Sequence, residues 1–244
     1  FSSAPPPRET NKRTETKPKN PATEMATAFR DTRETRMKQR ARALLISEIA
    51  GLERLLKSTP SKSPDRLQLM RRLAEGYVEL ENAAVHDKTE AEIAVQDKKG
   101  DPAKLKAEAA KAKKIAEAAR TNAIKYYTSL KNEFQDYSKL DEVLYYLAYE
   151  HEQAGDLASA RSVYYELIEK APKSPYIPNA YLAFGELFFQ EAQGDPSKWD
   201  FAIAAYKEVI KYPPPDNKVY GYARYKLGYV FWNQGNYAQA INEF

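Results

Sequence analysis

Residues 141–244 repeat one pattern three times, and this repetition constrains the fold more than any other feature of the chain. Each copy has an apolar helical segment, a turn and a second helical segment. Small residues recur at equivalent places in these segments: Ala148, Gly185, Gly228, Ala160, Ala202 and Ala240. Such a unit cannot bury its apolar face alone, so its stability comes from stacking on neighbouring units. The repetition predicts an all-α stack of antiparallel helix pairs.

The second segment of each copy carries an aromatic residue, Tyr164, Tyr206 or Phe244, and the first two copies end near Pro172 and Pro214. This arrangement resembles the tetratricopeptide repeat. The resemblance implies a right-handed helical solenoid in which the small residues let the two helices of a pair approach closely. We expect the aromatic rings to fill the gap between one unit and the next.

An earlier stretch of the chain has the same pattern in a longer form. Met70, Leu73 and Tyr77 match a first helix, and Tyr127 and Leu130 match a second, but no turn follows the first helix where a minimal unit would have one. The residues between are rich in Ala, Lys and Glu, which favour helix. We expect a unit whose helices are extended into a long hairpin; a disordered low-complexity insert is the alternative.

The signature aromatics Tyr127, Tyr164, Tyr206 and Phe244 are separated by 37, 42 and 38 residues, more than the ~34 of a minimal unit. Phe244 falls inside a second helix, so we expect the array to be truncated there and to continue. The predicted organisation is a flexible Pro/Thr/Lys-rich linker, an N-terminal helix, the extended unit with its tip near 100–102, two repeats and a truncated repeat. These cover residues 1–23, 24–60, 61–136, 137–175, 176–216 and 217–244.

Positive charge is concentrated at the start of the chain. Residues 1–58 contain 13 Lys and Arg against 7 Asp and Glu, a net charge of +6, whereas the remainder has 25 against 27, or −2. The predicted basic patch consists of Arg33, Arg36, Lys38, Arg40 and Arg42. Such a cluster is either a solvated helix face or a surface for anionic lipid, glycan or nucleic acid.

The sequence contains no arrangement of residues typical of a catalytic or metal site. It has no cysteine and two histidines, and it lacks the common hydrolase, zinc-protease and phosphate-loop motifs. We expect His151 to be a packed structural residue and His86 to be exposed on the extended helix. We therefore predict a non-enzymatic protein without a metal, cofactor or small-molecule substrate.

The tetratricopeptide resemblance implies a concave groove lined by fixed positions of each first helix. Carried onto this chain, those positions predict a strongly aromatic partner-binding groove. Its residues are Tyr145, Tyr149, Glu152, Asn179, Leu182, Glu186, Phe189, Tyr222, Tyr225, Tyr229, Trp232 and Asn233. Tyr and Trp are favoured in binding hot spots. Aromatic residues at helical spacing also form internal cores, so packing inside the array, or beneath further repeats, is the competing interpretation.

The predicted function is a scaffold that binds a peptide or protein partner; nucleic acid is not the expected partner. The repeats at 141–156, 174–189 and 222–241 resemble those of bacterial envelope tetratricopeptide proteins: Tol-Pal-associated coordinators, an outer-membrane assembly lipoprotein and gliding-motility proteins. That resemblance implies a periplasmic or outer-membrane-associated protein of a Gram-negative bacterium, possessing an export signal and contacting an envelope membrane complex, with the cytoplasm as the alternative. Two other functions stay open: binding of an anionic surface by the basic N-terminal region, and a role as the non-catalytic part of a larger enzyme.

Overall fold

The computed structural model describes the backbone of residues 21–244 and the side chains of residues 36–244. The predicted linker therefore lies outside the described residues except at 21–23, which form the first turn of a helix, and the Arg33 side chain lies outside them as well. The described part of the chain divides into two units between residues 44 and 45. Over the described backbone the fold is all-α, and residues 45–244 form a helical solenoid of antiparallel pairs, as predicted.

The first helix, α1, spans Pro21–Ser58 and belongs to both units. In the second unit its apolar residues recur at helical spacing, and Ile49 and Leu56 are buried there. The helix ends at Ser58, two residues before Pro60, which has no backbone N–H to donate to the helix.

Two helices of 32 residues each, α2 (Asp65–Gln96) and α3 (Pro102–Glu133), form the long antiparallel hairpin. The turn between them contains Gly100, whose positive φ of 84° suits glycine. Asp101 then caps α3 by accepting a hydrogen bond from the Ala103 amide at 2.9 Å, and Pro102 occupies the first turn. The extended part of the hairpin is joined by a seam of buried alanines: Ala84, Ala91, Ala109, Ala112 and Ala116.

Three shorter pairs follow the hairpin. The first consists of α4 (Leu140–Gln153) and α5 (Leu157–Lys170), and the second of α6 (Ile177–Ala192) and α7 (Trp199–Val209). A single 3-10 turn at Pro196–Lys198 lies between α6 and α7. The third pair is α8 (Tyr220–Asn233) and α9 (Tyr237–Glu243).

Two of the signature aromatics, Tyr206 and Phe244, lie against a glycine of their own pair. A Cβ atom added at Gly185 would overlap the Tyr206 ring, and one added at Gly228 would lie 2.8 Å from the Phe244 ring. The glycines thus make room for the ring of the same pair, whereas the sequence predicted that the rings fill the gap between one unit and the next. Tyr164 meets the prediction, because its ring centroid is 6.4 Å from that of Phe184 in the next pair.

The buried apolar residues of the second unit form two clusters. One extends from Ile49 on α1 to Ala183 on α6, and the other from Ala192 to Ala240. Tyr181 is half-buried and packs against both. The alanine seam of the extended hairpin belongs to neither cluster. The tip therefore depends on helix propensity and contacts between its own two helices.

Candidate functional site

The candidate site is the surface formed by the first helix of each pair, which we call the helix-A face. Its side chains come from α2, α4, α6 and α8 at the positions that line the groove in the predicted repeat. The predicted groove residues on α4 and α6 are half-buried except for Tyr149, which is exposed, and those on α8 are all exposed.

On α4, the predicted groove residues differ in burial. Tyr145 is half-buried and its ring stacks on Tyr176 with centroids 4.6 Å apart, whereas Tyr149 is 42% exposed. Glu152 accepts a hydrogen bond from the Tyr164 hydroxyl at 3.0 Å. Burial raises the pKa of Glu152, and the Tyr164 hydrogen bond opposes that effect.

On α6, Glu186 is the centre of a polar cluster. It accepts a hydrogen bond from the Tyr206 hydroxyl at 2.8 Å and forms an ion pair with Lys226 at 2.9 Å. The Lys226 ammonium also lies 3.9 Å from the centroid of the Phe189 ring, a cation–π geometry. Burial, followed by the Glu186 carboxylate, raises the pKa of Tyr206, which keeps the phenol protonated as a donor.

The two remaining predicted residues of α6 are half-buried. Asn179 donates a hydrogen bond to the Tyr145 hydroxyl at 3.3 Å, which connects α6 to α4, and Leu182 packs against the second apolar cluster. Lys226, which was not predicted, ties α8 to α6. It directly follows the predicted groove residue Tyr225, but nothing in that sequence position indicates a partner 40 residues earlier in the chain.

On α8, the aromatic residues are exposed. Tyr222, Tyr225, Tyr229 and Trp232 are 48%, 47%, 41% and 55% exposed. Their rings contact one another along the helix, with centroids of Tyr225 and Tyr229 4.9 Å apart. Asn233 is exposed as well, and its side-chain amide donates to the Tyr229 carbonyl at 2.8 Å.

The sequence interpretation missed the contribution of α2, which lines a cavity of about 420 Å³ between α2, α3 and α4. The groove positions predicted from the sequence lie only in the three clear repeats. Counted from Ala74, which corresponds to Ala148, the same rule selects Gln68, Arg71, Glu75, Val78 and Glu79, and all of these except Gln68 line the cavity. The signal was thus present in the sequence.

A buried pair of carboxyl groups connects the hairpin to α4, behind the helix-A face. Glu81 on α2 and Glu150 on α4 are 5% and 2% exposed. Arg120 on α3 donates to Glu81 through Nε at 2.9 Å and to the Gln153 carbonyl at 2.8 Å. One oxygen of each carboxylate has no donor. Protonation of one of the two carboxyl groups would supply such a donor.

The electrostatics of this pair follow from its burial. Desolvation, followed by the neighbouring Glu81 carboxyl, raises the pKa of Glu150 to about 8, and Arg120 opposes the shift. Glu150 is therefore largely protonated at neutral pH.

The two histidines lie on α2 and α4 and not on α8. His151 is half-buried, with Nδ1 3.3 Å from an oxygen of Asp156, and His86 is exposed as predicted. His86, Asp87 and Glu90 could together offer ligand atoms to a metal, a grouping that the sequence interpretation did not anticipate, but all lie on one helix face and only Asp87 is half-buried.

Within the predicted basic patch, three described side chains are exposed, those of Arg36, Lys38 and Arg40, and Arg42 is half-buried. Among residues 21–244, no helix combines the length and hydrophobicity that crossing a membrane requires.

Comparison with known families matches tetratricopeptide repeat models to residues 142–174 and 192–244. The first range covers most of α4 and all of α5, and the second begins at the end of α6 and includes α7, α8 and α9. No curated protein matches the chain. The matches support the tetratricopeptide repeat family, whose repeats are generally non-catalytic modules for protein–protein interaction. The hairpin of α2 and α3 lies outside both ranges.

Proposed function

We propose that this protein is a scaffold that binds a linear peptide segment of a protein partner along its helix-A face. The observation that carries the proposal is the row of exposed aromatic side chains on α8, which are 41–55% exposed. Aromatic side chains offer a large contact area and lose little rotamer entropy when they are bound. The ion pair and cation–π contact of Lys226 hold the adjacent part of the face in place.

The test is selection of dodecapeptides from a phage-displayed library on the purified chain, followed by fluorescence anisotropy with the most enriched peptide. Tyr229→Ala and Trp232→Ala should each weaken binding at least tenfold. Tyr165→Ala is the matched control, because Tyr165 is 57% exposed but lies on the second helix of its pair. Circular dichroism checks that each variant remains folded.

Two results would contradict the proposal. One is a selection without any enriched peptide. The other is a pair of folded α8 variants that bind the enriched peptide as tightly as the unchanged chain.

We further propose that the scaffold acts in the envelope of a Gram-negative bacterium, in the periplasm or at the outer membrane, as part of a membrane-associated complex. The support is the resemblance of its repeats to those of envelope tetratricopeptide proteins. Fractionation of the producing cells, with immunodetection of the protein beside periplasmic and cytosolic markers, tests this location. Recovery with the cytosolic marker would refute it.

A further inference from the structure

The cavity between α2 and α4 has an apolar interior. Its walls include Val78 on α2, Tyr127 on α3, Tyr137 in the loop that follows, and Val143 and Tyr146 on α4. The Tyr127 and Tyr146 rings stack with centroids 6.1 Å apart, which fixes one wall. A volume of about 420 Å³ lies within the roughly 300–1,000 Å³ typical of ligand pockets. The cavity has room for a large apolar side chain together with part of its flanking backbone.

The rim of the cavity has more negative than positive groups. Glu75 forms an ion pair with Arg71 at 2.8 Å, and Glu142 lies 3.7 Å from the Lys139 ammonium. Glu79 is exposed and makes no hydrogen bond or ion pair with another residue that the structure describes. Arg72 attracts it electrostatically, but the Arg72 guanidinium donates to Glu48 at 2.9 Å. Three carboxylates thus face two cations, and the Glu79 carboxylate is available to a partner.

The excess of negative over positive groups continues along the helix-A face. Glu152 accepts only a neutral hydroxyl, that of Tyr164, whereas Glu186 is paired with Lys226. Together with the cavity rim, this part of the face has five carboxylates and three cations. Opposite charge on a partner favours its approach and sets its register on the surface.

We propose that the cavity receives one large apolar side chain of a linear peptide, and that a Lys or Arg adjacent to that side chain pairs with Glu79. This proposal rests on the proposed function and adds the chemical class of the partner: a basic segment with an aliphatic or aromatic anchor. The apolar interior recognises the anchor, and the carboxylates at the rim select against acidic segments.

The test uses the same dodecapeptide library. Enriched peptides should share a Leu, Met, Phe or Trp next to a Lys or Arg. Val78→Trp, which fills the cavity, and Glu79→Lys, which reverses its charge, should each weaken the most enriched peptide at least tenfold. Replacing the basic residue of that peptide with Glu should restore much of the affinity for the Glu79→Lys variant, since the opposite charges then meet again.

Matched controls come from the same helix outside the cavity. Val85 is 40% exposed and Glu92 is exposed on the extended part of α2, so Val85→Trp and Glu92→Lys introduce the same changes away from the lining. Both should bind the peptide as the unchanged chain does. Circular dichroism again separates loss of binding from loss of fold. If Val78→Trp unfolds the chain, Glu79→Lys still tests the proposal.

The outcomes separate the two proposals. Peptides that are enriched for acidic residues, or that keep their affinity for both cavity variants while Trp232→Ala weakens them, would overturn the cavity proposal and leave the scaffold proposal standing. Absence of any enriched peptide would overturn both.

Discussion

Replacing Glu150 with Gln should remove a pH dependence of stability that the buried carboxyl pair creates. Burial raises the pKa of Glu150 from an ordinary 4.5 to about 8, so the folded chain keeps a proton that the unfolded chain has released. The folded state binds more protons throughout this interval, and its stability therefore falls as the pH rises. The contribution of Glu150 to stability is fully present below pH 4.5, falls as the pH rises above that value, and is lost once the pH has passed 8.

The size of the effect follows from the same shift. One pKa unit corresponds to about 1.4 kcal/mol, so raising the pH from 6 to 9 should lower the free energy of unfolding by about 2–3 kcal/mol through Glu150 alone. The glutamine introduced by the substitution stays neutral, and its amide can donate to the Glu81 oxygen that lacks a donor. Glu150→Gln should therefore lose this slope and exceed the unchanged chain in stability at pH 9.

The assay is urea unfolding followed by circular dichroism at pH 6, 7.5 and 9. The groups that surround Glu150 also titrate or carry charge: Glu81 on α2, Arg120 and Tyr127 on α3, and Tyr149 on α4. The informative quantity is therefore the difference between variant and unchanged chain at each pH. Glu92→Gln, an exposed carboxylate of α2, is the control and should change the slope little.

Parallel loss of stability in the unchanged chain and Glu150→Gln would refute the reasoning. It would mean that Glu150 ionises in the folded state at its ordinary pKa. Water that reaches the carboxylate, or a different position of Arg120, would then stabilise its charge.

Two further predictions concern the helix pair of the second repeat and the hairpin tip. Gly185→Ala should destabilise the chain by about 1–2 kcal/mol in urea unfolding, because the added methyl group would overlap the Tyr206 ring and the clash exceeds the gain in helix propensity. Gly51→Ala, at a helical glycine with open space, should instead stabilise by up to about 1 kcal/mol, and equal effects at the two glycines would contradict the packing argument. Asp101→Ala removes the cap of α3 and should lower local stability at the tip by about 1 kcal/mol, seen as faster hydrogen exchange of the backbone amides of residues 103–106. The main unfolding transition should stay unchanged, since the tip seam is outside both apolar clusters; a shift of that transition would show that the tip and the stack unfold together.

The parts of the fold that depend on local pattern could be read from the sequence. Gly155-Asp156 and Gly235-Asn236 mark turns, and the glycines at both sites have positive φ as such turns require. Gly100-Asp101-Pro102 similarly indicates the hairpin tip. These features depend on neighbouring residues, which a single sequence displays directly.

The parts that depend on contacts between distant residues could not be read in this way. Glu81 and Arg120 are 39 positions apart and meet only because the hairpin aligns its two helices, and Glu150 joins them only when α4 packs beside α3. In the sequence, each of these three residues looks like any other charged residue of a helix. Burial of an aromatic is similar: Tyr145 is half-buried with the ring of Tyr176, 31 positions later, stacked on it.

Because of the alanine seam, the length of the hairpin can change independently of the packing of α4 to α9. Ala84, Ala91, Ala109, Ala112 and Ala116 contact the opposite helix and contribute to neither apolar cluster. Removing two helical turns, about seven residues, from each arm would bring another part of the seam to the tip and leave α4 to α9 packed as before. Insertions or deletions, in evolution or by engineering, can therefore change the length of the hairpin without changing how the other helices pack.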